Sequence, residues 1–388
     1  MTRDEPSNGP DPQRPGESEE VGPIGQAEHL LRHRTEWLRG EGTASDVVLS
    51  SRVRLARNLA GFPFMPKATR VDRRQILEIC KTRIMQAGIA ERVLWVDLTN
   101  TPPLERTLLV ERHLISQPHA KGKLSTGQGG PDEPRGVAIG LPGERISVMV
   151  NEEDHLRIQV MRTGFALGEA LAEIDAVDDR IEEGIDYAFH PRFGYLTACP
   201  TNVGTGIRFS VMLNLPALRL AGEIEKVKRA AEDMSLAVRG FYGEGTEAAG
   251  DFHQLSNQTT LGKSERLLLH EMESEIVPRI IEYERQARRQ LVRKQGVMLE
   301  DQAQRALGLL LHARLLSTKE CMELLSRLRL GAQLGLMGTV DEAVITHLML
   351  VTQPAHLQRV VGREMRQDER LRARADLVRE KLRAASAG

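Results

Sequence analysis

Between residues 93 and 215 the chain repeatedly breaks into short apolar runs: Val93–Leu98, Ile146–Val150, Leu156–Met161, Tyr195–Ala198 and Phe209–Leu215. Several alternate with period two, which sends successive side chains to opposite faces of a strand. Helical patterns stand apart from these runs. Ile76, Ile79 and Ile84 share one side of a helix over 71–87, and Leu167, Leu171, Ile174, Val177 and Ile181 step by four and three along another. Strands joined by short turns, with helices grouped elsewhere, predict an α+β fold: an antiparallel sheet flanked by helices. The stretch Gln117–Gly136, rich in Gly and Pro, is expected to be a mobile surface loop between strands.

Beyond residue 287 the strand signal ends. Ser317-Thr318-Lys319-Glu320 and Thr339-Val340-Asp341-Glu342 have the form of capping boxes, Pro354 suits a first helical turn, and Leu371, Ala375, Val378 and Leu382 mark one face of a last helix over about 362–384. In that helix arginines alternate with acids, the pattern of a solvated surface. The expectation is a mixed domain over 27–286 and a separate all-helical C-terminal domain over 287–388. Residues 1–26 carry Pro6, Pro10, Pro12, Pro15 and Pro23 among Gly, Ser, Asp and Glu; they bury little and are expected to be a disordered tail.

Charge excludes several roles. With 53 basic and 54 acidic side chains the formal net charge is -1, so no global field recruits nucleic acid or a membrane surface. Cys80, Cys199 and Cys321 are too few and too scattered for a disulfide framework or a zinc site. No apolar run is long enough for a bilayer, and the first residues lack the apolar core of a signal peptide. A cytoplasmic protein is expected.

The chemistry concentrates in polar segments placed where strands or tight turns belong. In Ser50-Ser51-Arg52-Val53-Arg54 an extended backbone puts Arg52 and Arg54 on one side. Arg157, Arg208 and Arg239 each border a polar, acidic or Gly-containing stretch. Five such forks converging on one cleft would grip a triphosphate and neutralise charge on a transferred phosphoryl group; each arginine alone also reads as a surface ion pair. No GxxxxGK[ST] loop and no HRD or DFG set is present, which excludes those kinase solutions. Glu152, Glu153 and Asp154 follow directly on the run Ile146–Val150, and Glu244 lies beyond two glycines. Like charges crowded at a strand end call for open solvent or a cationic ligand.

Taken together, Ser51 to Asn58, Asn151 to Arg157, His190 to Thr197 and Cys199 to Arg208 resemble the ATP:guanido phosphotransferases, the phosphagen kinase family, over about residues 47–286. The helical C-terminal domain resembles that of the family's bacterial, protein-directed branch. The resemblance implies that Arg52, Arg54, Arg157, Arg208 and Arg239 meet nucleotide phosphates, with His113 a further contact. It implies that Ser50, Ser51, Arg52, Val53 and Arg54, then Arg208, Phe209, Ser210, Val211 and Met212, then Arg239, Gly240, Phe241, Tyr242, Gly243 and Glu244 line ATP. Glu153 and Glu244 match the acceptor-binding carboxylates and Cys199 the reactive cysteine beside the guanidinium; a small packed residue is the alternative for Cys199. Mg2+ is expected on the phosphates rather than in a protein cage. The branch acts on arginines of proteins, marks them for a Clp-type unfoldase and protease, and inactivates a heat-shock repressor. An activator protein and a homodimer are further implications. Many of its members carry an RDxxRA signature; here the stretch reads Arg370-Leu371-Arg372-Ala373-Arg374-Ala375, leaving Arg370 and Arg374 one turn apart to share a phosphate.

The residue types suit the reaction. A guanidinium holds its proton so tightly that deprotonating it outright near pH 7 costs roughly 7–9 kcal/mol. A carboxylate accepts that proton as the N–P bond forms, and two carboxylates also aim one nitrogen at the γ-phosphorus. Glu153 is assigned as base and Glu244 as its partner. Two other readings remain: a kinase for a free guanidino metabolite, and a non-catalytic adaptor working through its C-terminal helices.

Overall fold

The computed structural model describes residues 35–123, 129–240, 250–338 and 340–386. Its strands are β1 (Val48–Arg57), β2 (Arg92–Asp97), β3 (Gly136–Leu141), β4 (Ile146–Val150), β5 (Leu156–Thr163), β6 (Phe189–His190), β7 (Gly194–Tyr195), β8 (Ile207–Asn214), β9 (Leu236–Arg239) and β10 (Phe252–Asn257). Among the described residues they form an eight-stranded sheet in the order β2-β3-β4-β5-β1-β8-β10-β9, with β6 and β7 as a separate hairpin. Every pairing in the large sheet is antiparallel. The run expected at Tyr195–Ala198 is therefore no sheet strand; its Tyr195 only closes the small hairpin.

The helices are α1 (Arg70–Gln86), α2 (Pro103–Glu111), α3 (Gln117–Lys121), α4 (Leu167–Glu182), α5 (Pro216–Leu220), α6 (Ile224–Asp233), α7 (Glu265–His270), α8 (Val277–His312), α9 (Thr318–Gln333), α10 (Glu342–Val351), α11 (Pro354–Val361) and α12 (Gln367–Ser386). One sheet face carries Val53, Leu55, Val148, Ile158, Val160, Phe209, Val211 and Leu255 into the main core, against α1, α4 and the start of α8. Along α1, Ile76 and Ile84 are fully buried, whereas Ile79 faces outward; the buried stripe runs through Leu77 and Cys80 instead. A turn of π-helix over Glu271–Ile276 joins α7 to α8, and α8 kinks at Gln295, whose backbone leaves helical geometry.

The opposite face is shared. At one end it packs on α2 through Leu94, Val96, Val137 and Ile139. Elsewhere Leu49, Met161, Met212 and Phe252 join Trp37 and the C-terminal helices in a second core with Leu325, Leu328, Ile345, Leu348 and Val378. The C-terminal helices thus close part of the sheet, and polar ties fasten them there. Arg329 donates to Asn214 Oδ1 at 2.7 Å and to the Ser45 carbonyl at 3.0 Å, and Ser326 donates to Asp251 at 2.7 Å.

Local chemistry starts these helices as expected in part. Ser317 caps α9 by accepting from the Glu320 N–H, and Pro354 opens α11. At α10 the cap is Asp341, which accepts from the Ala343 N–H; Thr339 lies outside the described residues. The stretch Gln117–Gly136 differs from a plain surface loop: it begins with α3, and His119 and Arg135 are 1% exposed. The last helix starts at Gln367 rather than near 362 and is not wholly solvated. Arg374 is buried, its Nε donating to the Thr352 carbonyl and its Nη1 to that of Leu316, while Arg370 donates to the Met365 carbonyl. The Arg374 guanidinium is thereby committed to backbone carbonyls at the end of α10 and in the α8–α9 connection. Residues 1–26, expected as a tail, lie outside the described residues.

Candidate active site

The cleft is built by register. Arg54 stands between Gln159 on β5 and Arg208 on β8, and Arg52 between Met161 and Ser210. In the next row Gln254 on β10 faces Met212 on one side and Arg239 on the other. Residues in register across a sheet project to the same face. Arg157, opposite Ala56, therefore joins them. All five arginines border one cleft of about 510 Å³, together with His113, Glu152, Glu153, Gln159, Gln254, Lys121 and Lys123.

The same alternation takes other expected residues away. Ser51 is fully buried on the helix side, where its hydroxyl donates to the Gly164 carbonyl and accepts from the Ala166 N–H, both at 2.9 Å. Val53 and Phe209 sit in the main core with no exposed surface. Val211 is also a core residue, although it borders a small recess beside the cleft with Ser50, Ser210, Met212 and Trp37. An unbroken run of ATP-lining side chains is thus impossible on a pleated strand. Gly240 follows β9 and is buried; Phe241, Tyr242, Gly243 and Glu244 lie outside the described residues. Cys199 is half-buried with its Sγ 3.1 Å from Thr201 Oγ1, and it does not border the cleft among the described residues.

Electrostatics give the cleft its character. Among the described residues seven cationic side chains border it against two carboxylates. Burial, then repulsion from Arg157, Arg208 and Arg239, lowers the Arg52 pKa to about 10. Burial, then Arg52, Arg157 and Arg208, pushes Arg54 well below its ordinary value, and its buried Nε and Nη2 find no hydrogen-bond acceptor. Arg208 is lowered by burial, then Arg239 and Arg157. The Arg157 pKa is raised: burial opposes its charge, but Glu152 and Glu153 sustain it, each 2.8 Å from one of its terminal nitrogens. Arg52, Arg54 and Arg208 crowd one another, and Arg54 keeps two donors unmet among the described residues; the cleft therefore suits a polyanion, because an incoming negative charge relieves both the repulsion and those donors.

The carboxylates sit on a stiff turn. Asn151 has a positive φ of 62°, and its amide donates to the carbonyls of Arg73 at 2.7 Å and Pro134 at 2.9 Å. Glu152 is buried; burial favours its neutral form, yet Arg157, His119, the Ser116 hydroxyl and the Glu153 N–H hold its pKa below the usual value. Asp154 Oδ1 accepts from Asn58 at 2.7 Å and from the Ala198 N–H at 2.6 Å, tying this turn to the segment carrying Cys199. Glu153 is the carboxylate left accessible, its side chain 31% exposed.

His113 lines the cleft from the end of α2 with φ 59°. Gln159 donates to its carbonyl at 2.8 Å, and the Trp37 ring meets its imidazole edge-on at 4.9 Å. Burial, then Arg52, lowers the His113 pKa to about 3, so the ring is neutral. Glu152, Gln159, Gln254 and Trp37 were not among the expected site residues. A signal for Gln254 exists in the alternation Phe252-Gln254-Ser256, which places a long polar side chain on the arginine-bearing face. No group of three or more His, Cys, Asp or Glu able to hold a metal occurs among the described residues, and both cleft carboxylates engage Arg157. A cation here would come with an anionic ligand's own oxygens.

Comparisons with known proteins agree with this geometry. Residues 75–287 match the family model described as ATP:guanido phosphotransferase, C-terminal catalytic domain, and residues 296–388 match the protein-arginine kinase McsB C-terminal domain. A protein-arginine kinase of Symbiobacterium thermophilum is 43% identical over 93% of the chain and 100% of its own length. That of Geobacillus stearothermophilus is 43% identical over 89% of the chain and 93% of its own. Among solved structures, the duplicated taurocyamine kinase of Schistosoma mansoni superposes with a TM-score of 0.54 at 26% identity, over 66% of this chain and only 35% of that one. A lombricine kinase superposes with a TM-score of 0.51 at 27% identity, over 63% and 68%.

Proposed function

The chain belongs to the ATP:guanido phosphotransferase family, among the protein-arginine kinases, and from that premise we propose that it transfers the γ-phosphoryl group of ATP to arginine side chains of other proteins. The observation that carries this reading is the convergence of Arg52, Arg54, Arg157, Arg208 and Arg239 on one sheet face, with the accessible carboxylate of Glu153 at the same cleft.

In this reading the forks of Arg52, Arg54 and Arg208 bind the triphosphate and offset charge on the moving phosphoryl group. Mg2+ bound to the nucleotide would supply further positive charge at the phosphates. Glu153, with Glu244 as partner, grips the acceptor guanidinium, aligns one nitrogen and takes its proton as the bond to phosphorus forms. Arg157 holds Glu153 in place. Protein substrates with exposed arginines, a cytoplasmic setting, dimeric assembly, an activator protein, and a role in stress-linked delivery to a Clp-type protease complete the proposal. They rest on the relatedness to protein-arginine kinases. Among the described residues no helix is long and apolar enough to cross a membrane.

The test uses the full chain with Mg-ATP and an unfolded, arginine-bearing protein, with phosphoarginine read by mass spectrometry at neutral pH. Glu153→Gln should lose at least about a hundredfold in transfer, the scale of one positioned proton acceptor, while nucleotide binding persists. Undiminished transfer by that variant removes Glu153 from the mechanism. Turnover of free arginine with none on protein removes the protein-directed reading.

A further inference from the structure

We infer that Glu111, which touches neither substrate, is a positioning residue for the nucleotide: it anchors the C-terminal helices to the tripeptide Glu111-Arg112-His113 and so sets where His113 stands in the cleft. The inference rests on the reading above, in which His113 meets the nucleotide.

Glu111 is the last residue of α2 and is buried. Its carboxylate crosses to the start of α11, where Oε1 accepts from the Ala355 N–H at 2.8 Å and Oε2 from the His356 N–H at 2.9 Å. A helix N-terminus presents unpaired N–H groups and a partial positive charge, so a buried carboxylate there is held at two points. A third contact fixes the imidazole. His356 Nδ1 lies 2.8 Å from Glu111 Oε2, and because a carboxylate only accepts, Nδ1 carries the proton. His356 Nε2 is then an acceptor, and Arg112 Nη1 approaches it at 3.3 Å. Arg112 also makes a two-pronged pair with Glu144, at 2.8 and 2.6 Å.

Two successive side chains are thus locked to α11 and to the β3–β4 turn, and the next residue is His113. Its left-handed backbone leaves little freedom to absorb a shift. The Arg112 carbonyl accepts from Trp37 Nε1 at 3.3 Å, and the Trp37 ring meets His113. Moving α11 by a fraction of an ångström therefore moves both the His113 backbone and the ring beside it. Each contact is buried, where a lost partner is costly, so the linkage is tight.

The experiment is a double-mutant cycle on the full-length enzyme, reading KM for ATP, KM for the protein acceptor, kcat and Tm. Glu111→Gln keeps size but loses one charged acceptor; it should raise the ATP KM roughly three- to tenfold, a coupling of the size seen between contacting residues, with the acceptor KM unchanged. His356→Ala, approached from the other side, should move the ATP KM the same way and serves if Glu111→Gln folds poorly. In a His113→Ala background, neither substitution should change the ATP KM further. An equal effect with and without His113, or an equal rise in both KM values, overturns the inference and leaves Glu111 a plain stabilising residue. A His113→Ala enzyme with unaltered ATP KM overturns the nucleotide role of His113 itself, and the inference with it.

Discussion

Arg54 shows how a functional residue opposes the stability of its own fold. It is held among Arg52, Arg157 and Arg208 with two buried donors unmet, an arrangement that costs free energy until an anion arrives. Arg54→Leu removes both the repulsion and the orphaned donors while keeping bulk on the sheet. The variant should melt higher, by roughly 2 °C or more, yet lose phosphoryl transfer and most of the thermal stabilisation that ATP gives the parent. A lower Tm for Arg54→Leu would mean that the guanidinium is internally satisfied and that the cleft is not a polyanion site. This residue was legible: Arg52 and Arg54, two apart on an extended run, had to share a face. Ser51, Val53 and Phe209 were misplaced because matching a family's contiguous stretch ignores the pleat, which gives every second side chain to the core.

Elements follow the same logic of tethering. The turn between β4 and β5 holds Glu152 and Glu153 through His155 as well as Asn151: the His155 N–H donates to Asn58 at 2.9 Å, and its Nδ1 accepts from the Leu59 N–H at 3.0 Å. Burial drives the His155 pKa down to about 4, against the pull of the Pro63 carbonyl. The unfolded chain, near the ordinary 6.5, takes the proton first, so stability falls as pH drops from 6.5 toward 4. His155→Gln should be less stable than the parent at pH 7, with the gap narrowing by pH 5. Urea titrations at the two pH values check it, and a constant or widening gap would show that His155 does not titrate as a buried neutral ring. The turn was visible as an acidic stretch after an apolar strand, but the tethers of His155 come from residues more than ninety positions earlier, which local pattern does not carry. The Gly204-Thr205-Gly206 turn has a similar lesson. Gly206, at φ 68°, packs so closely that a Cβ would lie 2.7 Å from the Ala56 carbonyl oxygen; its glycine serves a close backbone approach to β1.

At the scale of the molecule, the C-terminal helices are legible as helices and illegible as a lid. Caps and periodicity mark where they start and which faces are apolar, because those signals are local. That their apolar faces cover Met161, Met212 and Phe252 depends on pairings across hundreds of residues, whose partners no local pattern names. This packing has a thermodynamic consequence. Removing the helices would uncover that second core, leave Asn214 and Asp251 without Arg329 and Ser326, and free Glu111 from α11. Losses of buried apolar contact and buried hydrogen bonds on both sides of one boundary make the parts unfold together. Calorimetry of the full chain should therefore give one endotherm, raised as a unit by ATP even though the described arginines of the cleft all lie before residue 240. Two resolved endotherms, with ATP shifting only one, would mean that the helices fold as an independent body and that the shared core contributes little to holding the sheet.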